Sequence, residues 1–197
     1  MKTLVAIPSC ARDRAGQKDQ RLLLGCCGVM SPTADYRFFL GAGNADPDED
    51  EVILPVRDDY LALPVKMRAA YRWALEHDYT RVFKCDRDTW VSADRLLAAA
   101  AFLDCDYTGL VGKPGDCCGG GAGYWLRRAA MIAYLENYDE RQPALANYQR
   151  LEDWCVFTVL DRASPKISPV CDRRYWDLRL GPIPDPATNI TWNPWKP

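Results

Sequence analysis

Histidine is nearly missing from this chain, with His77 the single copy in 197 residues. No C-x-x-C pair recurs either, so a structural zinc site has almost no ligands to draw on. There is no apolar run of about 18 residues, so nothing is expected to span a bilayer, and any membrane contact would be peripheral or made by a partner. The glycine fingerprints G-x-G-x-x-G and G-x-x-x-x-G-K-[ST] do not occur, which argues against dinucleotide and P-loop chemistry. A basic excess is lacking as well: 25 Lys and Arg stand against 27 Asp and Glu, a formal net charge of -2. Nucleic acid is therefore not an expected partner, although a local basic pocket remains compatible with this balance.

What is present describes a globular protein. Apolar residues make up 48 % and charged residues 26 %, too apolar for a disordered chain. The length suits one substantial core and is short for two ordinary domains, so a single domain over 1–197 is expected. Nine cysteines, an odd number, fall mostly in apolar or helix-like runs. Buried free thiols of a reduced intracellular protein account for them better than a secreted disulfide framework does. The apolar segment 3–7 is too short for a signal peptide and reads as a first core strand.

Strands are expected at 3–7, 36–40, 51–55, 81–85, 107–111, 122–126 and 167–170, each a short β-rich or apolar run bounded by turn residues. Between them, 9–25 reads as a loop and then a helix. The clearest helix is 60–76, with Leu63, Met67, Ala70, Tyr71 and Ala74 on one face and Pro64 in its first turn. Further helices are expected from Ser92, a good N-cap, to 101, over 128–137, and from 152 to 161. Segment 176–197, rich in Pro, Trp and Asn, reads as an extended tail laid across the body. Alternating strands and helices imply a three-layer α/β/α fold with a mostly parallel central sheet. Ligands of such folds gather beyond the carboxyl ends of the strands.

Two of those ends carry chemistry. At 84–91, Asp86 and Asp88 lie two positions apart in an extended segment, so their side chains share one side. Hard cations such as Mn²⁺ or Mg²⁺ take such oxygen ligands, with phosphates and water completing the shell. Helix N-capping before Ser92 is the alternative reading. Downstream, Glu152 and Asp153 form a second acidic pair, either of which could take a proton from an attacking hydroxyl. Acidic residues also favour helix N-termini for purely electrostatic reasons. Segment 117–123 concentrates glycines, Gly121 among them, which permit close backbone approach to a ligand or simply a tight turn. Ser9, Arg12, Arg14, Lys66 and Lys84 lie near the expected strand ends or on the adjoining helix, and the four cations are candidate phosphate contacts. Ordinary surface charge accounts for most such cations, and a helix C-terminus accounts for His77.

Taken in order, these segments resemble the inverting β-1,3-glycosyltransferases: the β-1,3-galactosyltransferases, β-1,3-N-acetylglucosaminyltransferases and fringe enzymes. Residues 37–41, R-F-F-L-G, resemble that family's second strand. Residues 58–66, D-D-Y-L-A-L-P-V-K, resemble its D-x-Y-x-N-L-x-x-K segment. Residues 83–91, F-K-C-D-R-D-T-W-V, resemble its K-x-D-D-D-x-x-V signature, with Arg87 in place of the middle acid. Residues 119–124 resemble a G-x-G-Y stretch, and 152–156 its E-D-V segment. The resemblance covers roughly residues 2–160.

That resemblance implies a GT-A fold, a UDP-sugar donor, Mn²⁺, and a saccharide or glycoconjugate acceptor. It implies Asp88 on the metal, Asp86 on the metal or near the donor sugar, and Asp153 as base. Asp59 and Lys66 fall in the segment lining the donor side. A single displacement forming a β-1,3 linkage follows. The family's luminal members carry an anchor and stem that this sequence does not show, so a cytoplasmic location is expected instead. The family's late histidine ligand has no counterpart after His77, which leaves Asp172, Asp177, Asn189 or water for that role. Three alternatives stay open: a transferase of the same fold acting with retention or on another nucleotide-sugar, a non-catalytic carbohydrate-binding protein, and a structural domain whose acids are only caps.

Overall fold

The computed structural model describes residues 1–14, 16–18, 21, 34–44, 46–101, 103–113, 115–139, 141, 151–177 and 187–193. Cys26, Cys27, Trp195 and most of the second half of the expected 9–25 helix lie outside them. The strands are β1 (Thr3–Pro8), β2 (Ala34–Leu40), β3 (Glu51–Ile53), β4 (Arg81–Lys84), β5 (Trp90–Val91), β6 (Tyr107–Gly109), β7 (Tyr124–Arg127), β8 (Val170–Cys171), β9 (Tyr175–Asp177) and β10 (Thr191–Asn193). The helices are α1 (Leu63–Glu76), α2 (Ala93–Ala101), α3 (Arg128–Asn137) and α4 (Glu152–Arg162).

β1 is buried at every position, as a continuous apolar run at the centre of a two-sided sheet must be. Leu4 and Ala6 enter the core on one face, and Val5 and Ile7 enter the core on the other. The main sheet has the order β3-β2-β1-β4-β7-β6-β8. All its neighbours pair in parallel except β7, which runs antiparallel to both β4 and β6. α1, α3 and α4 contribute to the core on one face, while α2, Tyr175 and Ile190 contribute to the core on the other. This is the three-layer α/β/α arrangement with a mostly parallel sheet.

Several elements are shorter than their sequence patterns. The 107–111 strand stops at Gly109, and Val111 makes only an isolated bridge to Cys118. The 122–126 strand begins at Tyr124 because Gly123 sits at φ 87°, a left-handed turn that precedes the ladder. The helix expected over 60–76 divides into a 3₁₀ turn at Tyr60–Ala62, capped by Asp59, and then α1. Pro64 occupies the first turn of α1, where its missing N–H has no intrahelical partner to lose. Segment 167–170 contributes only Val170, which with Cys171 forms β8 and pairs in parallel with Thr108 and Gly109 of β6 at the sheet edge.

The described part of 176–197 is ordered by pairing. β10 lies between β5 and β9, antiparallel to the first and parallel to the second. Among the described residues no helix is long and apolar enough to cross a membrane.

Candidate functional site

β1 and β4 are neighbours and parallel, with Ala6 opposite Lys84, so the loops that leave them emerge side by side. Between those loops and the N-terminus of α4 lies a cleft of about 320 Å³. Its walls include Ser9, Asp59, Lys66, Lys84, Asp86, Asp88, Gly121, Glu152 and Asp153. Nine of the eleven residues singled out from sequence thus meet in one place. The other two do not: Arg12 is exposed away from the cleft, and Arg14 is engaged by Glu51 through Nη2 at 2.8 Å and Nε at 3.1 Å.

Lys84 organises the floor. It is the last residue of β4 and 1 % exposed. Its Nζ donates to Asp86 Oδ1 at 2.7 Å and to the Gly120 carbonyl at 3.3 Å, and lies 3.2 Å from Glu152 Oε2. An ammonium has three donors, and these three partners use them. Burial alone would lower the Lys84 pKa, but the carboxylates of Asp86, Glu152 and Asp153 outweigh it and hold the pKa above its ordinary value. Lys84 is therefore charged at any physiological pH.

Glu152, at the start of α4, is 3 % exposed and faces Lys84 with one oxygen. Its other oxygen accepts from the Tyr124 hydroxyl. The Tyr71 hydroxyl stands 2.7 Å from that of Tyr124 and 3.4 Å from Glu152 Oε1. Burial, more than any neighbouring charge, pushes both phenols well above their usual range, so they remain neutral donors. Burial also lifts the Glu152 carboxyl, with Lys84 pulling the other way. In the sequence Tyr71 falls on the apolar face of a helix and Tyr124 closes the G-x-G-Y stretch. Their chain positions, 53 residues apart, carry no local sign of the contact.

Asp153 is held differently. Its Oδ2 accepts the Gly120 N–H at 3.1 Å and its Oδ1 the Trp154 N–H at 2.9 Å, yet the residue is only half-buried and lines the cleft. The glycine segment supplies the backbone that makes this possible. A Cβ on Gly120 would come 3.0 Å from Lys84 Nζ, tighter than ordinary contact. The carbonyls of Gly121 and Ala122 accept from Thr89 Oγ1 at 2.8 Å and Thr191 Oγ1 at 2.5 Å.

On the opposite wall Lys66 is 2 % exposed, donating to the Ser9 carbonyl at 2.6 Å and to Asp58 Oδ1 at 2.8 Å. Asp58, which sequence reading passed over in favour of Asp59, also accepts the N–H of Gly41 and Ala11 and the amide of Asn44. It ties together the segments that follow β1 and β2 and the start of α1. Burial would raise its pKa, but these donors, Lys66 foremost, overcome that and set it at about 2. Asp59 accepts from the Ala62 N–H as a cap and pairs with Arg57.

The charge of the cleft is one-sided. Six carboxylates line it (Asp13, Asp59, Asp86, Asp88, Glu152, Asp153) against the cations Lys66, Lys84 and Arg87. An anionic ligand would be repelled here unless a cation came with it. Among the described residues, no three His, Cys, Asp or Glu side chains converge as a preformed metal site. Asp86 and Asp88 nevertheless fit a hard cation of the type held by one or two carboxylates and completed by substrate phosphates. None of Asp172, Asp177 and Asn189 lines the cleft: Asp172 is held by Arg174 at 2.6 Å, Asp177 is buried, and Asn189 donates to the Thr191 carbonyl at 2.7 Å.

No family model matches the sequence, and no curated protein matches it. Solved structures do. A glycosyltransferase involved in the glycosylation of the major capsid of PBCV-1 superposes with a TM-score of 0.59 at 10 % identity, over 98 % of this chain and 92 % of that one. Galactosyltransferase LgtC, in complex with donor and acceptor sugar analogs, gives 0.56 at 11 % identity, over 98 % and 87 %. Mannosyltransferase PcManGT from Pyrobaculum calidifontis, in complex with GDP-Man and Mn²⁺, gives 0.53 at 14 % identity, over 87 % of this chain and 54 % of that one. At such identities the likeness is one of architecture, and the chain has the GT-A nucleotide-sugar transferase fold.

Proposed function

We propose that this protein is a glycosyltransferase that moves a sugar from a UDP-sugar to a hydroxyl of a saccharide or glycoconjugate acceptor, by inversion and with a β-1,3 linkage. The observation that carries the reading is the acidic cleft at the ends of β1 and β4, where Asp86, Asp88 and Asp153 line one volume over a buried, fully engaged Lys84. The fold supports the donor class. The inversion and linkage rest on the resemblance of segments 58–66, 83–91 and 152–156 to the β-1,3 family.

In this reading Asp86 and Asp88 would hold Mn²⁺ or Mg²⁺ alongside the donor diphosphate. When bound, the ion supplies positive charge that offsets the leaving group. Asp153 is the general base, because it borders the cleft with its carboxylate oriented by two backbone N–H groups. The acceptor oxygen attacks the anomeric carbon on the side opposite the diphosphate, its proton passes to Asp153, and the bond from the anomeric carbon to the diphosphate oxygen breaks. Glu152 is the brace: paired with Lys84 and two tyrosines, it fixes the height of the floor on which Asp86 stands. Lys84 thus positions Asp86 and does not reach the phosphates itself.

Calorimetric titration of a UDP-sugar panel with and without Mn²⁺, on the wild type and Asp88→Ala, tests this. Metal-dependent binding that falls at least about tenfold in Asp88→Ala is the expected result. A folded wild type that binds no UDP species in the presence of metal would overturn the assignment.

A further inference from the structure

The three cations of the cleft are held in unequal ways. Lys66 and Lys84 are 2 % and 1 % exposed, and each ammonium is itself buried and engaged by two or more partners. Arg87 has a side chain 37 % exposed, and its ion pair is with a carboxylate of similar exposure: Nε lies 2.9 Å from Asp13 Oδ2, whose side chain is 31 % exposed. One end of the guanidinium lies over Gly16, where a Cβ would come 2.7 Å from Nη1. Arg87 therefore links the Asp86–Asp88 loop to the 3₁₀ turn Ala11–Asp13 that follows β1, the two loops that border the cleft. Asp13 also accepts from the Cys10 thiol at 3.2 Å, so it keeps a partner if Arg87 moves.

A part-exposed ion pair of this kind is weak, because water screens both charges. A guanidinium in front of phosphate oxygens is a stronger arrangement, with two parallel N–H donors in a fork that matches the anion. Arg87 also stands in sequence between the two acids expected to meet the diphosphate.

We propose that Arg87 is a diphosphate-recognition residue: Asp13 holds it when the cleft is empty, and it turns onto the phosphate oxygens when a nucleoside diphosphate enters. This rests on the transferase reading above. It gives the arginine that stands in place of the middle acid of the K-x-D-D-D-x-x-V signature a role, since one more positive charge is placed in an acidic cleft.

The test is a double-mutant cycle read by calorimetry with Mn²⁺ present, using UDP and UMP as probes and GDP and ADP as alternative diphosphates. Arg87→Gln should lower diphosphate affinity by roughly 10- to 100-fold and change UMP affinity less than about threefold. Arg87→Lys, which keeps the charge and loses the fork, should recover part of that loss. Asp13→Asn should raise diphosphate affinity by about two- to fivefold, and the gain should vanish in the double variant. Equal losses for UDP and UMP, or an Asp13→Asn gain that persists without Arg87, would overturn the proposal, since removal of a carboxylate alone would then explain it. Wild-type diphosphate binding that Arg87→Gln leaves intact sinks this inference and spares the transferase reading. A wild type that binds no diphosphate with metal sinks both. Melting curves of each variant confirm that the fold is retained.

Discussion

Consecutive residues of the same two strands build opposite kinds of interior. On one face, Lys84 of β4 and Tyr124 of β7 stand in register and join Glu152 and Tyr71 in a buried polar network. On the other, their neighbours Phe83 and Trp125 also stand in register, pack with ring centroids 5.0 Å apart at a tilt of 52°, and meet Tyr175. There Trp125 Nε1 donates to the Tyr175 hydroxyl at 2.6 Å. The apolar face supplies stability through buried area. The polar face fixes the positions of charged atoms, at a desolvation cost that only complete pairing offsets. A single-residue step along the strand separates the two roles.

Removing one partner from the polar face should have the largest effect on stability. Glu152→Ala leaves Lys84 buried with two partners in place of three, and one hydroxyl of the Tyr71–Tyr124 pair without an acceptor. A loss of roughly 3–5 kcal/mol is expected from urea unfolding, as for other broken buried pairs. A loss below about 1 kcal/mol would mean that the network relaxes freely and that the contrast between the faces is illusory.

The apolar face should respond less and in a different coin. Trp125→Phe removes ring volume and the hydrogen bond to Tyr175, a cost of about 1–3 kcal/mol in the same assay. Nucleotide affinity should stay within about twofold of wild type, since the side chain points away from the cleft. A large affinity loss at little cost in stability would show that the two faces are coupled through the sheet.

The smallest expected effect is acid-dependent and belongs to Asp58. Its pKa of about 2 lies below the ordinary carboxylate value, so the folded state favours the ionised form. The resulting stability is fully present above the unfolded value near pH 4 and is lost as pH falls toward 2. Asp58→Asn should remove about 1–2 kcal/mol at neutral pH and flatten the stability profile across that window. An unchanged acid limb in the variant would show that other carboxylates govern it.

Much of this architecture was legible in the chain because it is written in local patterns. The apolar run of β1, the helix faces of α1, and the acids at 86, 88, 152 and 153 all follow from short-range periodicity or from residues ending a strand or opening a helix. The remainder depends on contacts that no window contains. Tyr71 reaches Glu152 across 81 residues, so as sequence it is indistinguishable from a core aromatic. Asp58 and Asp59 are equal as letters, and only the fold turns one inward to four donors and the other outward to Arg57. Arg14 looked like a phosphate contact until Glu51 stood opposite it. Arg87 was a tolerated exception to a pattern, and Asp13 gives it a place.

One pairing in the smaller sheet has a bearing on synthesis. β5 begins two residues after Asp88 and is held by β10, with Val91 opposite Thr191. Thr191 in turn donates to the Ala122 carbonyl beside the glycine floor. Closing that contact joins positions about a hundred residues apart, a long and entropically costly loop. A nascent chain still short of β10 carries the acidic pair but lacks the strand that frames it, so on the ribosome the cleft is completed only once residues about a hundred positions downstream have emerged.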